Sequence, residues 1–197
     1  MKHLGAKTIE TERLILRRFE LSDAEDMFNN WASSKIVTKF MTWQPYESSK
    51  DVEGYISTVI AGYADNSNYN WCIEWKENGQ AIGSISVVRM RNDIAEACVG
   101  YCLSEKYWRR GIMTEAFTSV IKFLFEEVGV NRITASHNVD NPNSGKVMLK
   151  CGLRQEGVLR KAELDNTGIH DSAVYGIIRE DYCLKAEKQG EENVNSK

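Results

Sequence analysis

Only two prolines, Pro45 and Pro142, interrupt the 197 residues, so few stretches are barred from regular structure. No stretch reaches the roughly 18 apolar residues that a membrane span requires. Met1–Glu10 lacks the apolar core of a secretory leader, which makes the cytoplasm the expected compartment. The five cysteines (Cys72, Cys98, Cys102, Cys151 and Cys183) form no Cys-x-x-Cys pair, and no His/Cys/Asp/Glu set has metal-ligand spacing. Reduced, buried thiols are therefore expected, with Cys98 and Cys102 on one face of a strand. A large charge is missing too: the net charge of −3 gives no basic field and argues against nucleic acid as the main ligand.

What is present is an ordinary globular balance of 42% apolar and 27% charged residues, enough for one domain expected over 1–187, with a polar tail over 188–197. Leu14–Phe19 reads as an opening strand. Ser22-Asp23-Ala24-Glu25 has the spacing of a capping box before a helix over 23–32. Val52, Tyr55, Ile56, Val59, Ile60 and Tyr63 form an apolar stripe that predicts a helix over 49–64. Trp71–Trp75 and Ala81–Met90 flank Asn78-Gly79, a strong hairpin signal. A strand over 94–103 leads through Trp108-Arg109-Arg110-Gly111 into a helix ending at Val128, with Gly129 as its stop. A strand over 131–139, a helix over 143–151, and strands over 154–164 and 170–178 follow. Helices inserted among hairpin-connected strands predict an α+β domain, one mixed and mostly antiparallel sheet with helices packed on it.

The turn before Thr114 has a specific physical meaning. A helix start offers unpaired N–H groups and a partial positive charge, and a glycine lets backbone approach an anion closely. Tyr101 to Ala116 thus suits a pyrophosphate, although an ordinary strand–turn–helix with two surface arginines has the same pattern.

This segment resembles the acetyl-CoA loop of the GNAT superfamily of N-acetyltransferases. Gly111 matches the central glycine, while Trp108 and Met113 depart from the generic Gln/Arg and small-residue positions. Gly111 to Ala116 (Gly-x-x-x-Glu-Ala) is similar to the ribosomal-protein N-acetyltransferase branch. So are Thr11-Glu12-Arg13-Leu14, Asn141-Pro142-Asn143-Ser144 followed by Lys150-Cys151-Gly152, and Glu156-Gly157-Val158-Leu159-Arg160. The resemblance spans about 11–182. It implies the GNAT fold and acetyl-CoA as co-substrate. It also implies pyrophosphate binding by the backbone of Arg109, Arg110, Gly111, Ile112, Met113 and Thr114, pantetheine pairing near Leu103, and a cofactor role for Asn141. It implies no metal, and by family habit a homodimer.

Acetylating an amine requires removal of a proton, because a lysine-type ammonium titrates near about 10.4 and has no lone pair to attack with. The leaving thiolate needs a proton or a hydrogen bond. Many family members place a Tyr seven residues after the Asn. Here that position is Met148, and the branch implies Ser144 instead, although Ser144 equally suits a first-turn cap. For the base, the branch implies Glu163, with Glu96 and His137 as rivals, while His3 and His170 lie in poorly anchored contexts. The acceptor is then a primary amine (a protein N-terminal α-amine, a polyamine or another small amine), reached by direct transfer. A non-catalytic acyl-CoA sensor is the alternative.

Overall fold

The computed structural model describes residues 1–184; the polar tail expected over 188–197 lies outside the described residues. In chain order the elements are β1 (Ile9–Glu10), β2 (Leu14–Arg17), α1 (Asp23–Met27) and α2 (Lys35–Thr38). Then come α3 (Ser49–Gly62), β3 (Asn70–Trp75), β4 (Gln80–Arg91), β5 (Glu96–Leu103) and α4 (Ile112–Phe123). The last are β6 (Arg132–Asn138), α5 (Pro142–Cys151), β7 (Arg154–Asp165) and β8 (Gly168–Ile178). Both α1 and α4 run on into a single π-helical turn, over Phe28–Ala32 and Leu124–Val128.

The strands form one sheet in the order β1-β2-β3-β4-β5-β6-β8-β7. Every neighbouring pair is antiparallel except β5–β6, which is parallel. Alternation along the strands sends residues to two faces. Trp71 and Ile73 pack with Phe117, Val120 and Phe125 beneath α4 and its extension. Cys72 and Cys102 pack with Met27, Trp31, Val52 and Ile56 beneath α1 and α3. The α3 stripe is narrower than its periodicity predicts, because Ile60 remains 37% exposed. The hairpin turns where Asn78-Gly79 predicts, with Gly79 at φ +72°.

The capping box does not form. Ser22 stands at the start of α1 with no side-chain cap, and the neighbouring Asp23 carboxylate takes over. It accepts from Glu20 N–H at 2.8 Å and from both terminal nitrogens of Arg17 at 2.7 and 2.8 Å. A charge-assisted, forked contact outweighs a serine cap. The cysteine expectation also needs correction: Cys72 and Cys102 are buried, Cys98 and Cys151 half-buried, and Cys183 exposed.

Candidate active site

Gly111 precedes α4 in the left-handed region at φ +75° and contributes no side-chain cap. The first helical bond runs from Glu115 N–H to Gly111 O at 3.0 Å, so the N–H groups of residues 112–114 have no partner within the helix. Ile112 and Met113 are buried, at 1% and 5% exposure, while Gly111 just before them is exposed. A Cβ added at Gly111 would come into ordinary contact with Arg13 Nη2 at 3.7 Å, so a guanidinium stands beside the turn. Arg109 is also left-handed, at φ +62°. Trp108, in the position where the generic motif has Gln/Arg, donates its indole N–H to Leu103 O at 2.8 Å and braces the loop.

A second brace joins two of the motifs. Glu115 accepts from Thr11 Oγ1 at 2.6 Å, Arg13 N–H at 2.9 Å and Arg13 Nε at 2.7 Å, and pairs with Arg13 Nη2 at 2.6 Å. Arg13 Nη1 also donates to Arg110 O at 3.1 Å, tying the loop to the start of β2. Burial alone would raise the Glu115 pKa, but the bonds from Thr11 and Arg13 hold it below its ordinary value.

Beside the loop the sheet opens. The parallel pairing of β5 with β6 covers only Glu96–Cys98 against Arg132–Thr134, yet β5 continues to Leu103 and β6 to Asn138. A cavity of about 620 Å³ lies at this fork, and Tyr101, Asn141, Ser144, His137 and Glu163 are among its lining residues. The Tyr101 hydroxyl donates to Ser144 O at 3.0 Å and lies 2.9 Å from Ser144 Oγ. Burial raises the Tyr101 pKa, so its phenol keeps its proton. Met148 is wholly buried in the core and does not line the cavity. Asn141 caps nothing with its side chain.

The base candidates separate clearly. Glu163 is exposed to the cavity and accepts from Ser136 Oγ at 3.1 Å. A bulge puts it there: the register steps from Leu159 opposite Ser172 to Glu163 opposite His170, so β7 carries two more residues than β8 across that step. Glu96 is instead committed to Arg132 Nε at 3.1 Å, where it joins β5 to β6 and does not line the cavity. His137 donates Nδ1–H to Asn138 O at 2.7 Å, while its Nε2 is buried without a partner. His170 is not poorly anchored: it is buried, lines the cavity and pairs with Asp165 at 3.3 Å.

Residues 13–154 match the family model for the acetyltransferase (GNAT) domain. The chain belongs to the GNAT acetyltransferase family. It is 32% identical to the uncharacterized N-acetyltransferase YoaA of Bacillus subtilis over 171 residues, 87% of this chain and 96% of that protein. It is 30% identical to the ribosomal-protein-serine acetyltransferase of Escherichia coli over 132 residues, 67% of this chain and 70% of the relative. Among solved structures, the microcin C7 self-immunity acetyltransferase MccE, in complex with acetyl-CoA and AMP, superposes with a TM-score of 0.77 at 26% identity. That match covers 85% of this chain and 93% of MccE.

As a GNAT acetyltransferase the chain uses acetyl-CoA as co-substrate, and the exposed Gly111 turn, with the N–H groups that follow it and the Arg13 guanidinium beside it, fits a pyrophosphate. Three parts of this enzyme's site escape sequence reading. Tyr101 lies inside β5 at the head of the motif segment and is given no role by it, yet it reaches Ser144. The segment 40–46 has no helical or strand periodicity, yet it supplies Phe40, Met41, Trp43 and Tyr46 to the cavity wall. Asn166, at the β7–β8 turn, clasps that segment. Its side chain donates to Thr38 O at 2.9 Å and Trp43 O at 2.8 Å, and accepts from Gln44 at 2.5 Å. Nothing local to residue 166 announces these contacts.

Proposed function

We propose that this GNAT acetyltransferase passes acetyl directly from acetyl-CoA to a primary amine, with Glu163 as base and Ser144 serving the leaving sulfur. Acetyl-CoA, when bound, supplies the activated thioester. The backbone of Arg109 to Thr114 holds its pyrophosphate, and Leu103 and Asn141 flank the arm entering the fork. Glu163 accepts the ammonium proton, freeing the nitrogen lone pair to attack. The Ser144 hydroxyl, backed by Tyr101, donates a hydrogen bond where sulfur gains charge.

The observation that carries this reading is that one cavity at the fork holds both a carboxylate with an uncommitted oxygen and a linked pair of hydroxyls. Direct transfer is supported by Cys102, the cysteine among the lining residues, whose thiol is pushed up to about 12 by burial and is no nucleophile near neutrality. The test is release of free CoA thiol in the presence of acetyl-CoA and a panel of amines. Tight CoA binding with no release from any amine would overturn the reading and leave an acyl-CoA sensor.

A further inference from the structure

Resting on the amine-transfer reading, the cavity wall carries information about the body to which the amine is attached. We infer that the acceptor is a single primary amine borne on a large apolar or aromatic group, and not a polyamine. Two observations lead there: the ring-lined composition of one wall and the scarcity of uncommitted negative charge.

On one side, Phe40, Trp43, Tyr46 and Tyr55 line the cavity. Tyr46 stands between Trp43 and Tyr55, with ring centroids at 5.7 and 6.4 Å, and burial raises its pKa. A wall of half-buried rings gains by covering apolar surface, at about 25 cal/mol per Å² removed from water. It also offers ring faces to an ammonium that approaches alongside.

On the other side, Glu163 and Asp165 are the acidic residues that line the cavity among the described residues. Asp165 is fully engaged. Its Oδ1 accepts from Thr167 N–H at 2.7 Å and Thr167 Oγ1 at 2.6 Å, and its Oδ2 takes Asn138 at 2.8 Å and His170 at 3.3 Å. A carboxylate has about four acceptor sites; three of those of Asp165 take hydrogen bonds from Asn138 and Thr167 and His170 stands against the fourth, which leaves a substrate little access to it. Burial opposes its ionisation, but these donors hold its pKa below the ordinary value. Only Glu163 retains an uncommitted oxygen, because its one bond, from Ser136, is to Oε1. The cavity can therefore give one ammonium a direct contact with a free carboxylate oxygen. A polyamine would bring further charges that find no free carboxylate oxygen there, and cation–π contact with the rings recovers only part of their desolvation cost.

The same chemistry is found in a free arylalkylamine and in a peptide whose first residue is Phe, so the test carries both. CoA release is followed with phenethylamine, a Phe-initiated peptide, a Ser-initiated peptide and spermidine, on wild type and on Tyr46→Ala. The expected result is a kcat/KM at least tenfold higher for one or both aromatic acceptors than for spermidine or the Ser peptide. Whichever aromatic acceptor leads identifies the source. Tyr46→Ala should raise the aromatic KM about tenfold with kcat and acetyl-CoA affinity retained; if it fails to fold, Tyr55→Leu takes its place. Equal or better turnover of spermidine or the Ser peptide overturns this inference and leaves amine transfer standing. CoA binding without release from any amine overturns both.

Discussion

The two ends of the fork are built differently. At the phosphate end, the contacts that shape the loop come from two short stretches, 11–13 and 103–115, and the side chains next to the exposed backbone are sunk in the core. At the acceptor end, the wall joins segments 122 to 128 residues apart through the side chain of one asparagine. The first is a socket whose shape comes with the fold. The second is a clasp between two segments far apart in the chain, and on the proposed function it should be alterable without disturbing the socket. A common co-substrate and a variable acceptor call for this division.

The largest effect should come from breaking the socket alone. Gly111→Glu places a side chain and a negative charge where the pyrophosphate would lie, and a left-handed non-glycine residue costs about 1–2 kcal/mol. Acetyl-CoA binding by calorimetry should vanish while the circular dichroism spectrum is kept. Wild-type affinity in the folded variant would remove the phosphate-loop assignment.

Glu163→Gln tests the chemistry between the two ends. General-base contributions are typically about 10²–10⁴-fold, and kcat/KM should fall by that much with acetyl-CoA affinity unchanged. The residual rate should recover at high pH, where free amine is abundant. Unchanged kinetics would take Glu163 out of the site. Loss of acceptor binding alone would make it an anchor.

Arg13→Ala should weaken acetyl-CoA about tenfold, because it frees the loop and leaves the Glu115 charge without its guanidinium in the first turn of α4, held only by Thr11 and the backbone N–H of residue 13. Adding Glu115→Gln should restore part of the loss. Additive losses in the double variant would show that the brace does not act through charge.

Asn166→Ala should touch only the clasp, raising the acceptor KM about three- to tenfold as its hydrogen bonds are lost, with acetyl-CoA affinity unchanged. A matching loss of CoA affinity would mean that the two ends are not independent.

The smallest effect is in acid. The Glu115 pKa is lowered from 4.5 on folding, so its contribution to stability is complete above that value and is lost as pH falls through the folded-state pKa. Thermal melts should show a shallower acid decline in Glu115→Gln than in wild type.

The socket was legible in the sequence for the reason that makes it rigid: strand, basic turn, glycine and amphipathic helix are contiguous, and local chemistry dictates each. The hairpin at Asn78-Gly79 and the order of strands and helices were legible on the same grounds. The clasp was not. The β7 bulge that carries Glu163 to the cavity depends on how β7 registers with β8, and periodicity within one strand cannot report it. His170 looked peripheral because its partner, Asp165, meets it only across the hairpin. The Ser22 cap failed because Arg17 reached Asp23 first, a contest between a local rule and a charge pair. Position 148 shows the converse. Its departure from the family tyrosine is visible in sequence, but only the fold shows Tyr101 of β5 bringing a hydroxyl to Ser144 on α5.

The seam between β5 and β6 has a mechanical consequence. Three residue pairs, with the Glu96–Arg132 bond beside them, are the backbone joint between a five-strand leaf and a three-strand leaf. Past that joint the inner edges of Val99–Leu103 and Ala135–Asn138 face each other across a gap. A molecule laid in the gap would serve both leaves as mortar, making a continuous wall of what is otherwise a split sheet. Amide hydrogen exchange along those two edges, compared with and without CoA, reads out how much of the sheet's integrity the ligand supplies.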